Sequence, residues 1–257
     1  MMHRVLSYLQ YLIISRSKYR IHSPFIYKFD TQVINDRRVY YGFKNIESLR
    51  AEMLRSRKKI TFRSFGTRGT EEKTMFIGSL VRKTAVTRKF GRFLFRTVNY
   101  FQPQHILEVG TGTGISTMYL AFPKTTARMI SLEGSSELAG LAAQNLEKLT
   151  LDHVDIRSGA FENTLPEALH DLGHVDLVFI DGDHREEATL WAFRQLLRVM
   201  HNDSLVIIHD IHWSPGMSRA WKQILALPEA NVTIDLFQAG IVFLRRQQAR
   251  QHFIVWF

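Results

Sequence analysis

The chain has 257 residues, 45% of them hydrophobic, enough to bury a sizeable core in one domain with an extension or in two small ones. It contains no cysteine, which excludes disulfides, thiolate-bound zinc, iron–sulfur clusters and thiol catalysis, and fits a reducing, cytoplasmic setting. The formal net charge of +10 is uneven: 22 Lys/Arg stand against 6 Asp/Glu in residues 1–100, and 12 against 18 in residues 101–257. Such a basic segment suits nucleic acid, an anionic membrane surface or an acidic substrate, or is simply a solvated face.

Residues 2–14 carry apolar side chains at helical spacing (Val5, Leu6, Leu9, Leu12, Ile13), which predicts a short amphipathic helix too short to span a bilayer. No transmembrane segment is expected. Pro24 breaks the pattern and can open a second helix, from about Phe25 to Ile34. A third helix is predicted over Ile46 to Arg57. Residues 56–72 show no periodicity, contain Gly66 and Gly69, and read as a loop. Helical pattern returns across about 73–100, with Phe90, Phe93, Leu94 and Val98 on one face. Residues 1–100 therefore read as an α-helical, basic N-terminal extension, serving as a cap or a dimerisation surface.

From Pro103 the rhythm changes. Short apolar strands are predicted at 105–109, 127–132, 153–157, 175–180 and 205–208, with helices between them. That alternation means a parallel sheet covered on both faces. The last two strands, Val232 to Phe237 and Ile241 to Arg245, are separated only by Gln238-Ala239-Gly240. That gap is too short for a parallel crossover, so they must form an antiparallel hairpin. The tail His252 to Phe257 is too apolar to be left in water and should pack on the body or on a partner subunit. Residues 101–257 thus form an α/β domain with a doubly wound, mostly parallel seven-stranded sheet ending in an antiparallel hairpin.

The most informative stretch is Glu108-Val109-Gly110-Thr111-Gly112-Thr113-Gly114. An apolar strand runs into three alternating glycines, which permit a sharp turn and the close approach of a ligand, and a helix follows. Dinucleotide folds use a G-x-G-x-x-G spacing; here it is E-x-G-x-G-x-G. A carboxylate at Glu108 suits a ligand with a cationic amino-acid end. In doubly wound sheets the ligand sits beyond the carboxyl ends of the strands, so the polar residues there are the candidates. Glu133, about twenty residues past the loop, can accept two hydrogen bonds from a ribose diol. Gly159, Ala160 and Phe161 can admit and stack an adenine edge. The fourth strand ends in Asp181-Gly182-Asp183-His184, and the fifth in His209-Asp210-Ile211-His212.

With these motifs, residues 103–245 resemble the class I S-adenosylmethionine-dependent methyltransferases. Within that class they resemble O-methyltransferases of the catechol type and the metal-dependent sugar O-methyltransferases. The resemblance implies S-adenosylmethionine bound by Glu108, Gly110, Thr111, Gly112, Gly114, Glu133, Gly159, Ala160, Phe161 and Asp181. It also implies a divalent metal, Mg²⁺ or similar, on Asp181 and Asp210. His184 stands where the catechol type has a lysine and where the sugar-modifying group has a histidine base. Imidazole suits the role because its unperturbed pKa is about 6.5. Ile211 replaces the amide of the catechol pattern. His209 replaces the acidic metal ligand of the sugar group, and is either a further ligand or a buried, hydrogen-bonded histidine. The reading is methyl transfer to a hydroxyl of a small molecule, a sugar, phenol or similar, by a cytoplasmic enzyme that can form a homodimer. Two alternatives stay open. One is an RNA methyltransferase using the basic N-terminal region, although no RNA-binding module is evident there. The other is a non-catalytic cofactor-binding module.

Overall fold

In the computed structural model, which describes residues 2–15, 22–66 and 69–257, the described residues up to Phe101 form five α-helices, a π-helical turn and one hairpin. Helix α1 (Met2–Ile14) is followed by α2 (Pro24–Phe29), which Ser23 caps by accepting from the Ile26 N–H. A π-helical turn, Asp30–Ile34, extends α2, and α3 (Tyr41–Arg55) comes next. Strands β1 (Lys59–Gly66) and β2 (Gly69–Phe76) pair antiparallel. Helices α4 (Ile77–Thr84) and α5 (Arg88–Phe101) complete the segment.

The hairpin corrects the sequence reading, which took residues 56–72 as a loop and residues 73–100 as helical. Alternation is present but short: Phe62 is buried while Thr61 and Arg63 on either side are exposed. Long charged side chains dominate the outward face and hide the period. Phe62 packs with Leu80 and Leu138 in a small apolar cluster of its own. The N-terminal segment is therefore helical with a β-hairpin inserted.

Strands and helices then alternate as the apolar pattern predicts: β3 (His105–Val109), α6 (Ile115–Ala121), β4 (Arg128–Glu133), α7 (Ser136–Glu147), β5 (Val154–Ser158), α8 (Phe161–Leu172), β6 (Val175–Ile180), α9 (Glu186–Leu196), β7 (Met200–His209), α10 (Pro215–Ala226), β8 (Val232–Asp235) and β9 (Ala239–Phe243). A further strand, β10 (Gln251–Ile254), comes from the apolar tail. The sheet order is β10-β8-β9-β7-β6-β3-β4-β5, with β9 antiparallel to both its neighbours and the other pairs parallel. The sheet thus has eight strands where seven were expected, and the β8–β9 hairpin is not its edge. The tail adds a strand beyond it because Phe253 and Val255 find cover there.

Alternate residues of the central strands serve two cores. Ile106, Met129, Leu177, Phe179, Leu205 and Ile207 face a core completed by α2, α3, α5 and α6. Leu107, Ile130, Val178, Ile180, Val206 and Ile208 face a second core under α8, α9 and α10. The N-terminal helices therefore contribute to the same core as the sheet: Ile26, Phe29, Ile46, Phe90, Phe93 and Leu94 are fully buried in it. Each such side chain contributes roughly 1.5–3 kcal/mol of apolar burial. Among the described residues no helix is long and apolar enough to cross a membrane.

Candidate functional site

A cleft of about 700 Å³ opens at the carboxyl ends of β3, β4, β6 and β7. Its floor is the glycine turn after β3, tied to the neighbouring strand ends. The Asp181 N–H donates to Val109 O at 2.8 Å, and the N–H groups of Gly110 and Thr111 both donate to Leu132 O, at 2.9 and 3.1 Å. A Cβ on Gly110 would lie 2.6 Å from the Asp181 carbonyl oxygen, at a φ of +105° that strains any other residue. Gly112, with φ +55°, has nothing within 4 Å of where a Cβ would sit, so the turn there faces open space.

Glu133 closes one side. Its Oε2 accepts from the Gly112 N–H at 2.7 Å and its Oε1 from the Ser135 N–H at 3.0 Å. Burial pushes its pKa up, against the pull of the backbone N–H groups. The carboxylate lines the cleft, and its oxygens together offer about four acceptor sites. Ala160 and Phe161, at the start of α8, also line the cleft.

Glu108 is placed differently from the sequence reading. It is fully buried and does not line the cleft. Its Oε2 accepts from Thr117 Oγ1 at 2.5 Å and from Ser131 Oγ at 2.6 Å, while its Oε1 is buried with no hydrogen-bond partner. Burial raises its pKa to about 7, opposed by the hydroxyls of Ser116, Ser131 and Thr117 and reinforced by the nearby Asp181 charge. The carboxyl stands one layer behind the glycine turn because β3 pleats it inward between β4 and α6. Gly114 and Gly159 likewise lie outside the cleft lining. Gly159 donates to Glu133 O at 2.9 Å.

The other half of the cleft holds the acidic and imidazole groups. Asp181, His184, His209 and Asp210 all line it. His184 Nε2 lies 3.8 Å from Asp181 Oδ1 and 3.9 Å from Asp210 Oδ2. His209 Nδ1 is 2.7 Å from Asp181 Oδ1 and 3.9 Å from Asp210 Oδ2. Burial pulls the His209 pKa down, and the Asp181 and Asp210 charges outweigh it, leaving a net rise. β6 and β7 are adjacent and parallel, so their carboxyl ends bring these residues together across 28 positions of sequence. Asp210 has φ +55°, a left-handed residue where the chain leaves β7. Asp183 is held by Arg185 through an ion pair, and His212 by Asp235 at 2.7 Å; neither adds to the cluster.

Sequence reasoning missed the opposite wall. Phe62, Arg63, Lys73, Met75, Leu80 and residues 82–87 line the cleft from the hairpin and from α4, joined by Arg4, Trp213 and Gln238. The unread period of residues 59–76 was the signal that would have found it.

Residues 107–211 match the family model described as a methyltransferase domain. The chain is 34% identical over 116 residues to a catechol O-methyltransferase of Niastella koreensis, covering 43% of this chain and 52% of that protein. It is 34% identical over 133 residues to a catechol O-methyltransferase of Mycobacterium tuberculosis, covering 50% of this chain and 58% of that protein. The chain thus spans somewhat over half the length of these curated relatives. Among solved structures, an O-methyltransferase from Bacillus cereus in complex with SAH superposes with a TM-score of 0.58 at 19% identity, over 85% of this chain and 96% of that one. The O-methyltransferase TomG from Streptomyces achromogenes in complex with SAM superposes with a TM-score of 0.57 at 16% identity, over 89% and 99%. Residues 107–211 thus match a methyltransferase domain, and the fold is the one these solved structures share.

Proposed function

We propose that this chain, built on the methyltransferase domain of residues 107–211, moves the methyl group of S-adenosylmethionine to a hydroxyl of a small-molecule acceptor, with a divalent metal held at Asp181 and Asp210. One observation carries the reading. The glycine turn with Glu133, and the Asp181–His184–Asp210 cluster, open into the same cleft. When bound, the cofactor supplies an electrophilic methyl group and the metal lowers the pKa of a coordinated hydroxyl. The donor set fits a divalent ion, with two carboxylates on neighbouring strand ends and two imidazoles beside them.

The residues then divide the work. Glu133 receives the ribose diol, and Ala160 and Phe161 flank the adenine. Burial of Glu108 behind the turn keeps a carboxyl near the cationic end of the ligand without contact. His184 accepts the acceptor proton at Nε2, and the carboxylates of Asp181 and Asp210, 3.8 and 3.9 Å away, stabilise the imidazolium that results. His209 holds Asp181 Oδ1 in place through its 2.7 Å bond. Holding hydroxyl and methyl in line accounts for most of the rate gain. Residues 1–100 act as a cap: Arg4, Arg63, Lys73, Arg82 and Lys83 line the same cleft, which supports ligands that carry negative charge.

The test combines binding and turnover. S-adenosylmethionine and S-adenosylhomocysteine are titrated calorimetrically, and methyl transfer is followed on a panel of catechols, hydroxylated acids and sugars. His184→Ala is expected to lower turnover about 100-fold with cofactor affinity nearly intact, and EDTA to abolish turnover. Failure to bind either nucleoside overturns the reading. Loss of affinity in H184A without loss of single-turnover rate overturns the base, and activity untouched by EDTA overturns the metal. Methylation of RNA in place of the panel, with steep salt dependence, favours the alternative acceptor class.

A further inference from the structure

A second group of metal-ligating side chains lies at the other end of the sheet. The cleft sits at the carboxyl ends of the strands. His105 opens β3, His174 immediately precedes β6, Asp176 is the second residue of β6, and His201 is the second residue of β7. β3, β6 and β7 are neighbouring parallel strands, so their amino ends meet at one edge. We propose that His105, His174 and Asp176 form a binding site for a divalent transition-metal ion of the zinc type, with His201 supporting it.

The three side chains stand within reach of one ion, and the imidazole pair is already at a shared-ion distance. One ligand atom from each of His105, His174 and Asp176 lies within 4.8 Å of the others, and His105 Nδ1 is 3.0 Å from His174 Nε2. Two imidazole nitrogens each about 2.0–2.1 Å from zinc stand roughly 2.9–3.4 Å apart, from right-angled to tetrahedral geometry. The two rings meet nearly edge to face, at 84°, with one proton between the nitrogens. An ion takes the place of that proton.

The carboxylate is already oriented. Asp176 Oδ2 accepts the N–H groups of Gln104 and His105, at 2.6 and 2.8 Å. Asp176 Oδ1 is therefore presented on the other side, 2.7 Å from His201 Nε2. The Asp203 N–H donates to His201 Nδ1 at 3.2 Å, so neutral His201 carries its proton on Nε2 and donates it to Asp176. That is the arrangement by which an outer hydrogen bond orients a metal-bound carboxylate. The nearby positive charge is Arg128, whose guanidinium is engaged with the Asp171 carbonyl. Two nitrogen donors and one oxygen favour zinc, cobalt or nickel over magnesium, which selects oxygen. His174 and His201 are exposed and His105 and Asp176 half-buried, so an ion has access. It would clamp the starts of β3 and β6, on segments about seventy positions apart in sequence.

The experiment uses tag-free full-length protein titrated with Zn²⁺ by calorimetry and with Co²⁺ by visible absorption. The Asp181→Asn/Asp210→Asn variant removes the carboxylate donors of the cleft, so the two ends of the sheet are read separately. One Zn²⁺ per chain should still bind to that variant and should raise its melting temperature. Binding should weaken at least about tenfold in His105→Ala and in His174→Ala. His174 is exposed, so H174A should fold and keep the cofactor affinity and methyl transfer of the parent. Absence of zinc binding in the D181N/D210N protein, or binding that H174A leaves unchanged, overturns the proposal. Neither result bears on the function proposed for the cleft.

Discussion

Glu108 allows a prediction whose size follows from its surroundings. Its pKa is pushed up to about 7 from the ordinary 4.5, because burial disfavours the charged carboxylate more than the surrounding hydroxyls favour it. The folded chain therefore holds a proton that the unfolded chain releases above pH 4.5. Stability from this group is fully present below the unfolded pKa and is lost as pH rises through about 7. Between pH 5 and pH 8 the loss integrates to about 2.5 kcal/mol, at 1.36 kcal/mol per pKa unit. Glu108→Gln keeps one oxygen for the Thr117 and Ser131 hydroxyls and puts a neutral amide where Oε1 has no partner. Gln cannot ionise, so E108Q should gain on the parent by that amount from pH 5 to pH 8, about 5 °C in melting temperature for a chain of this size. The assay is thermal and urea unfolding of both proteins at half-unit pH steps without added ligand. A stability difference that stays constant from pH 5 to pH 8 would refute the argument.

Three further outcomes can be checked. Gly110→Ala, with its Cβ against the Asp181 carbonyl, should lose about 1–3 kcal/mol from strain alone and bind no cofactor. Gly112→Ala, whose Cβ meets nothing, should stay within about 1–2 kcal/mol of the parent in stability yet bind cofactor more weakly; equal destabilisation of the two in urea melts would contradict the geometry. Glu133→Ala removes an acceptor from the Gly112 and Ser135 N–H groups and should weaken cofactor binding by about 2–3 kcal/mol, or roughly 30–150-fold in Kd; calorimetry showing less than a threefold change would refute its role. Val255→Asp places a charge at a position 1% exposed, whose carbonyl accepts from Tyr11 OH at 2.5 Å. It should cost about 3 kcal/mol or more, measured by urea unfolding; a parent-like midpoint would show that the tail does not hold the sheet edge.

Much of the fold is legible because periodicity is a local property. The apolar strands at 105–109 and 175–180 and the capped helices between strands follow from residues a few positions apart. The β8–β9 hairpin follows from the length of its connection. The cleft half built from Gly110, Gly112, Glu133, Asp181, His184 and Asp210 was legible for the same reason: in a parallel sheet every strand end is a known place. The hairpin at residues 59–76 was not legible, because its alternation is short, centres on one buried residue, Phe62, and is masked by a charged face that resembles a loop. That omission hid the Arg63–Lys73 wall of the cleft.

The sequence by itself determined that a glycine turn follows β3 and that acidic and imidazole groups stand at two neighbouring strand ends. Only the tertiary structure decided which way those groups point. A residue in a pleated strand faces the cleft or the core according to register and packing. Glu108, beside the glycines in sequence, is drawn behind the turn by Thr117 and Ser131. Tertiary contact also decided that α2, α3 and α5 share the core of the sheet, since helix faces with no partner in their own segment find one only when the whole chain closes. And it alone brought His105, His174 and Asp176 together, because no local pattern links residues whose meeting depends on the order of strands in a sheet.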